Sequence, residues 1–281
     1  MIRNAAGYTA LAIRNAGGVP VFADIDPHTY TLAPAAIEKA LTPCTRAIVP
    51  VHLYGCLAAM DEINDLAQHH GLFVIEDAAQ AHGASHNDAR AGSFGHAAAF
   101  SFYPTKNLGA WGDGGAVVSN DEALIARVKG LRQGGHLAAL QSETAGRNSR
   151  LDEMQAAILR VKLRHLERWT QRRRIIAAKY LAALQTTALQ LPLLTDGHVF
   201  HLFVVRHCER DARRAQLQAS GVETLIHYPY LLHQQPLFCR AEQHALPVAE
   251  QLVTEIFSLP LNPELSSEEI NFVIAALQQV I

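Results

Sequence analysis

Phe73-Val74-Ile75-Glu76-Asp77-Ala78-Ala79-Gln80-Ala81-His82-Gly83 and Phe100-Ser101-Phe102-Tyr103-Pro104-Thr105-Lys106-Asn107 are the two stretches that decide the fold of this chain. Each opens on a short apolar run of the kind that forms a strand buried in a parallel sheet. Asp77 and Lys106 follow those runs, so both are expected at the carboxyl edge of one sheet, where open α/β folds hold their ligands. Taken singly, neither residue says much. An aspartate after a strand is a common turn residue, and a solitary lysine is commonly a solvated charge. A carboxylate and an amine delivered to the same edge are a different matter, because the pair can grip and polarise a bound group.

Working outward, further strand-like runs fall at 20–25, 47–53, 72–78, 97–103 and 115–119, separated in places by helical stretches at 34–41 and 58–70, the latter closed by Gly71. Strand alternating with helix predicts a mostly parallel sheet covered on both faces. A helix at 122–133 and an aperiodic polar loop at 141–147 follow. The pattern at 152–184 predicts one long connecting helix, with or without a kink, rich in basic residues between Arg160 and Arg174. Leu159, Val161, Leu163, Leu166 and Trp169 lie among those charges, so a helix with one packed side is favoured over a nucleic-acid patch. Strand-like runs at 198–206 and 222–228 flank a helix at 210–220, and helices are expected at 247–257 and 267–280. Ser266 and Glu269 have the spacing of a capping box. The expected division is a large domain over 1–165 and a small α+β domain over 166–281.

The 281 residues are 49% hydrophobic and 18% charged, with a formal net charge of −2. This balance demands neither nucleic acid nor membrane. No apolar run approaches the roughly 18 residues of a membrane span, and Met1-Ile2-Arg3-Asn4 does not open a signal peptide, so the cytoplasm is the expected compartment. Cys44, Cys56, Cys208 and Cys239 form no C-x-x-C pair, and the fifteen histidines show no metal-ligand spacing, so no metal site is expected. Gly112-Asp113-Gly114-Gly115 lacks the spacing of a phosphate loop and reads as a tight turn into a strand.

The stretch from Leu72 to Ser119 resembles, nearly position by position, the sugar aminotransferases of the DegT/DnrJ/EryC1/StrS family, pyridoxal phosphate enzymes of the aspartate aminotransferase fold (fold type I). The resemblance continues through Arg46-Ala47-Ile48-Val49-Pro50-Val51-His52-Leu53-Tyr54-Gly55, Asn148-Ser149-Arg150-Leu151-Asp152-Glu153-Met154-Gln155-Ala156-Ala157, Ile226-His227-Tyr228-Pro229 and Leu259-Pro260-Leu261. It implies that Lys106 bonds pyridoxal 5'-phosphate and later carries protons, and that Asp77 faces the pyridine nitrogen. By the same resemblance Gln80 lies beside the ring, Ser101 donates to the cofactor phosphate, and Asn148 reaches the phosphate held by the other subunit of a homodimer. His227 and Tyr228 match a segment near the substrate mouth, although packing accounts for them nearly as well. For Gln80 and Ser101 the plain alternatives are a helix-cap amide and a serine satisfied within its own strand.

The implied reaction is transamination of a nucleotide-linked keto-deoxysugar by an amino acid donor such as glutamate, in deoxyaminosugar or cell-surface polysaccharide synthesis. Two alternatives stand beside it: a sugar dehydratase of the same fold, and a non-catalytic or regulatory remnant. The remnant arises because family members have a segment ahead of the point matching Met1, carrying a first strand, a phosphate-binding loop and a second strand. Tyr8 stands two positions late for the ring-stacking aromatic of that segment. On this reading the chain by itself is expected to hold the cofactor weakly and to be a poor aminotransferase.

Overall fold

Two neighbouring parallel strands carry the two decisive stretches into one sheet. The computed structural model describes residues 7–138, 141–142, 145–238 and 245–281; Met1–Asn4 and Cys239 lie outside them. In chain order α1 (Tyr8–Asn15) and α2 (Pro34–Ala40) precede β1 (Ala47–Ile48), α3 (Met60–His70) and β2 (Phe73–Asp77). A hairpin of β3 (Ser85–His86) and β4 (Ala89–Arg90) follows, then β5 (Ala97–Ser101), β6 (Gly115–Val118) and α4 (Glu122–Leu131). The next elements are β7 (His136–Ala138), β8 (Gln141–Ser142), α5 (Glu153–Leu163) and α6 (Leu166–Leu184). The chain ends through β9 (Phe203–Arg206), α7 (Arg210–Ala219), α8 (Pro247–Glu255), β10 (Ile256–Leu259) and α9 (Ser267–Val280).

Among the described residues the main sheet runs β1-β2-β5-β6, with β1, β2 and β5 parallel and β6 antiparallel. Beyond Ile48 the first strand still bonds its neighbour, since the Asp77 N–H donates to the Pro50 carbonyl (2.8 Å) and the His52 N–H to that of Asp77 (3.0 Å). α3 ends because Gly71 takes a left-handed φ of 62°, and this turn feeds the chain directly into β2. Along β2, Val74 and Glu76 point into the protein while Phe73 and Ile75 are 60% and 41% exposed. That period of two corrects the expectation of a sheet covered on both faces. Among the described residues Val117 of β6 is exposed as well.

Other expectations are also revised. Residues 20–25 form no ladder; only Ile25 bridges Leu32, although Phe22, Ala23 and Ile25 are buried. The long connecting helix is two helices, broken at Arg164 and His165 between α5 and α6. The expected helix at 247–257 stops at Glu255, and Ile256–Leu259 forms β10 against β9. Of the run 198–206 only Phe203–Arg206 is strand, while 222–228 contributes a single bridge, Leu225 to Ser258. The expected loop at 141–147 begins with β8, and residues 143–144 lie outside the described set.

One core gathers Phe22, Leu32, Ile63 and Val74 together with Leu232 and Leu252, so it draws on both sides of residue 165. A second joins Ile176 and Tyr180 of α6 to Phe203, Phe257 and Ile270. Among the described residues no helix is long and apolar enough to cross a membrane.

Candidate active site

β2 ends at Asp77 with both its N–H and its carbonyl bonded to the strand before it, which fixes where the carboxylate starts. Oδ1 accepts from the Ala79 N–H at 3.1 Å, and Oδ2 accepts from the hydroxyl of Thr9 on α1. Three residues on, Gln80 is buried with both ends of its amide engaged. Its Oε1 accepts from the Tyr54 N–H at 2.6 Å, and its Nε2 donates to the Tyr228 hydroxyl at 3.0 Å. Tyr54 sits in the left-handed region, at φ 59°, and its own hydroxyl donates to the His227 carbonyl. His227 Nδ1 lies 2.8 Å from the Ser258 hydroxyl on β10. The end of β2 is thereby tied to the C-terminal half of the chain through a connected set of hydrogen bonds.

Lys106 arrives from the other decisive stretch on a compact turn. Its N–H donates to the Tyr103 carbonyl (2.9 Å), and the Ala110 N–H returns to that of Phe102 (2.7 Å). Gly109 allows this turn, because a Cβ there would lie 2.4 Å from the Pro104 carbonyl oxygen. Asn107 locks the next position: Nδ2 donates to the Val199 carbonyl and Oδ1 lies 3.1 Å from His201 Nδ1. With Nδ2 spent as donor, Oδ1 is the acceptor and the His201 proton resides on Nδ1.

Burial lowers the pKa of the Lys106 amine, with the Asp77 charge pulling it back upward. The same burial, and then the charge on Lys106, bring His82 down to about 4 and also lower His201 and His227. Three neutral imidazoles therefore surround the amine at pH 7. His82 is 3% exposed, its ring against Phe100 and Phe102, and neither of its nitrogens has a hydrogen-bond partner among the described residues. A cleft of about 620 Å³ opens beside Lys106, with Lys162, Arg173, His227, Tyr228 and Trp169 on its walls. Burial alone lowers the Arg173 guanidinium to about 10, and its Nη1 is held on the carbonyls of Phe200 and Leu261, each at 3.2 Å.

The structure thus brings Asp77, Gln80, Lys106, His227 and Tyr228 into one neighbourhood. Ser101 closes β5, two residues past the Ala99 that pairs with Asp77, and its hydroxyl oxygen accepts from the Tyr103 N–H at 3.3 Å. Asn148 stands apart. It is exposed, bridges Gln133, and accepts from Arg150 Nε at 2.9 Å. Tyr8 is 79% exposed at the start of α1. Sequence reasoning assigned no role to Thr9, Tyr54 or His82. Tyr54 and His82 lie inside stretches already singled out, whereas nothing local marks Thr9.

Comparison with known proteins gives this geometry a context. The dTDP-3-amino-3,4,6-trideoxy-alpha-D-glucose transaminase of Streptomyces venezuelae is 46% identical over 277 residues, covering 96% of this chain and 72% of that protein. The UDP-N-acetyl-3-dehydro-alpha-D-glucosamine 3-aminotransferase of Acidithiobacillus ferrooxidans is 48% identical over 264 residues, covering 93% of this chain and 72% of the relative. NtdA of Bacillus subtilis, solved with the cofactor PMP bound, superposes with a TM-score of 0.93 at 32% identity, covering 100% of this chain and 66% of that one. The fold is accordingly that of the aminotransferases. A profile of the DegT/DnrJ/EryC1/StrS aminotransferase family matches residues 5–278, and with relatives at this level of identity the chain belongs to that family.

Proposed function

We propose that this protein uses pyridoxal 5'-phosphate to transfer an amino group from an amino acid such as glutamate to a keto-deoxysugar carried on a nucleotide. The observation that carries the reading is the half-buried Lys106 amine, on the wall of one cleft and close enough to Asp77 to feel its charge. The donor set fits the cofactor. Lys106 offers an amine to bond its aldehyde carbon, Asp77 a carboxylate for its ring nitrogen, Gln80 an amide and Ser101 a hydroxyl. Bound there, the cofactor would supply an electron sink for removing and returning a proton at the carbon that carries nitrogen.

The chain's own groups then divide the work. Asp77 favours a proton on the facing ring nitrogen. Lys106 Nζ, less basic than a solvated lysine because it is buried, gives up its proton more readily than a surface amine. The Tyr54 N–H fixes which way the Gln80 amide faces, and so what it can offer a ligand. The cationic and histidine-lined cleft suits a substrate bearing carboxylate or phosphate. Relatives named as dTDP-sugar and UDP-sugar aminotransferases support the nucleotide-linked substrate, and the PMP-bound neighbour supports the cofactor. Asn148, exposed and away from the Lys106 cleft, is assigned to the site of a second copy in a homodimer.

Mixing the purified protein with pyridoxal phosphate is expected to produce a visible absorption band that Lys106→Ala lacks, with the far-ultraviolet circular dichroism unchanged. Asp77→Asn is expected to keep the cofactor and lose turnover by at least about 100-fold. A band of full strength in Lys106→Ala would remove that residue from its role.

A further inference from the structure

The first turn of α1 reaches across 68 positions of sequence to the end of β2, where the Thr9 hydroxyl donates to Asp77 Oδ2. An ionised carboxylate only accepts, so the proton in this bond comes from the threonine. The other oxygen is held from within the same turn, by the Ala79 N–H at 3.1 Å. One such bond fixes one oxygen and leaves the carboxylate plane to swing about it. Two donors, one on each oxygen and arriving from different elements, remove that freedom.

Thr9 is suited to the task. Its β-branched side chain has few rotamers on a helix, and in the first turn of α1 no earlier helical turn competes for its hydroxyl. Here the hydroxyl goes outward to Asp77. The helix that carries it is itself seated, because Ala10 is fully buried and Leu11 and Ile13 pack against the first core. We propose that Thr9 is the positioning residue for Asp77, so that the orientation of the carboxylate, and through it the cofactor's ring nitrogen, depends on the docking of α1. The proposal rests on the assignment of Asp77 to that nitrogen.

The experiment compares the whole chain with Thr9→Val, Thr9→Ser and Asp77→Asn, using pyridoxal phosphate itself as probe. Its readouts are cofactor affinity, the absorption spectrum of the bound cofactor and the melting temperature without cofactor. Valine keeps the shape and removes the donor. Thr9→Val is expected to weaken cofactor affinity by no more than Asp77→Asn does and to shift the spectrum in the same direction, with Thr9→Ser within about twofold of the parent. The cofactor-free melting temperature is expected to be the same in all of them. If Asp77→Asn changes the spectrum and Thr9→Val does not, the role given to Thr9 is wrong. Equal losses in Thr9→Val and Thr9→Ser, accompanied by a lower melting temperature, would also overturn it and make Thr9 a packing residue. An unaltered spectrum in Asp77→Asn would instead remove the assignment of Asp77 on which the proposal stands.

Discussion

Glu76 turns inward from β2 where Asp77 turns out, and every bond open to its carboxylate is made. Oε2 accepts from His52 Nε2 (2.9 Å) and the Gly92 N–H (2.7 Å), and Oε1 from the N–H groups of Phe94 (2.9 Å) and Gly95 (2.7 Å). His52 Nδ1 accepts from the Ala58 N–H, so the proton it offers Glu76 is on Nε2. Burial alone would raise the pKa of Glu76, yet the donors from His52, Gly95 and Gly92 outweigh it and the pKa is lowered. The folded-state value lies below the unfolded one, near 4.3, so Glu76 stabilises the fold fully above that pH and ceases to as pH falls through the lower, folded value. Glu76→Gln places an NH₂ against N–H donors and is expected to cost roughly 2–4 kcal/mol in urea unfolding at pH 7. The variant is also expected to lose less stability on acidification than the parent; equal acid sensitivity would exclude Glu76 as a source of it. Asp77 and Lys106 were legible because each stands at the end of an apolar run. The duty of Glu76 was not, since its four donors come from 16 to 24 residues away. Thr9 is hidden for the same reason at a longer range.

Helix ends show the same divide at the scale of elements. The capping box opening α9 needs only Ser266 and Glu269, three positions apart, and both of its bonds are present at 3.1 and 2.8 Å. The start of α8 is capped instead by Asp24, more than two hundred residues earlier, whose carboxylate accepts from the N–H groups of Val248 and Ala249, both at 3.0 Å. Ser266→Ala and Asp24→Ala are each expected to cost about 1–2 kcal/mol. Only Asp24→Ala is expected to speed amide hydrogen exchange at Val248 and Ala249, and unchanged exchange there would mean that α8 holds its start without the cap. A cap given by a distant side chain leaves no local pattern, so 20–25 reads as a strand when Asp24 in fact serves a helix. The helix expected at 247–257 overran for a related reason. Ile256, Phe257, Ser258 and Leu259 are all buried, a continuous run that suits either period, and pairing with β9 decides for strand.

For the molecule as a whole, the question is what completes the site. Lys106, Asp77 and Gln80 gather in one chain, while Asn148 lies exposed, bonded to Arg150 and bridged to Gln133. Near the Lys106 turn, Tyr103, Trp111 and Met154 are 52%, 77% and 72% exposed, and Trp111 joins that turn to α5 through the Gln155 side chain at 2.8 Å. Large apolar groups exposed together around a site mark a surface that is covered in use. The homodimer proposed above would account for both features, since a two-fold axis would let each copy cover the other's surface and offer Asn148 to its cofactor. The expected consequence is complementation. Lys106→Ala lacks the amine and Asn148→Ala the crossing amide, so each homodimer has two damaged sites. In a hybrid, one site takes Lys106 from one copy and Asn148 from the other, and it is whole. With random mixing half the dimers are hybrids, each with one intact site of two, so the mixture is expected to regain about a quarter of the parent's activity. The measurement is turnover after denaturing and refolding the two variants together, set against each variant refolded alone. A mixture no more active than the average of its parents, or full activity from a strictly monomeric sample, would place Asn148 outside the site and leave the dimer without a catalytic purpose.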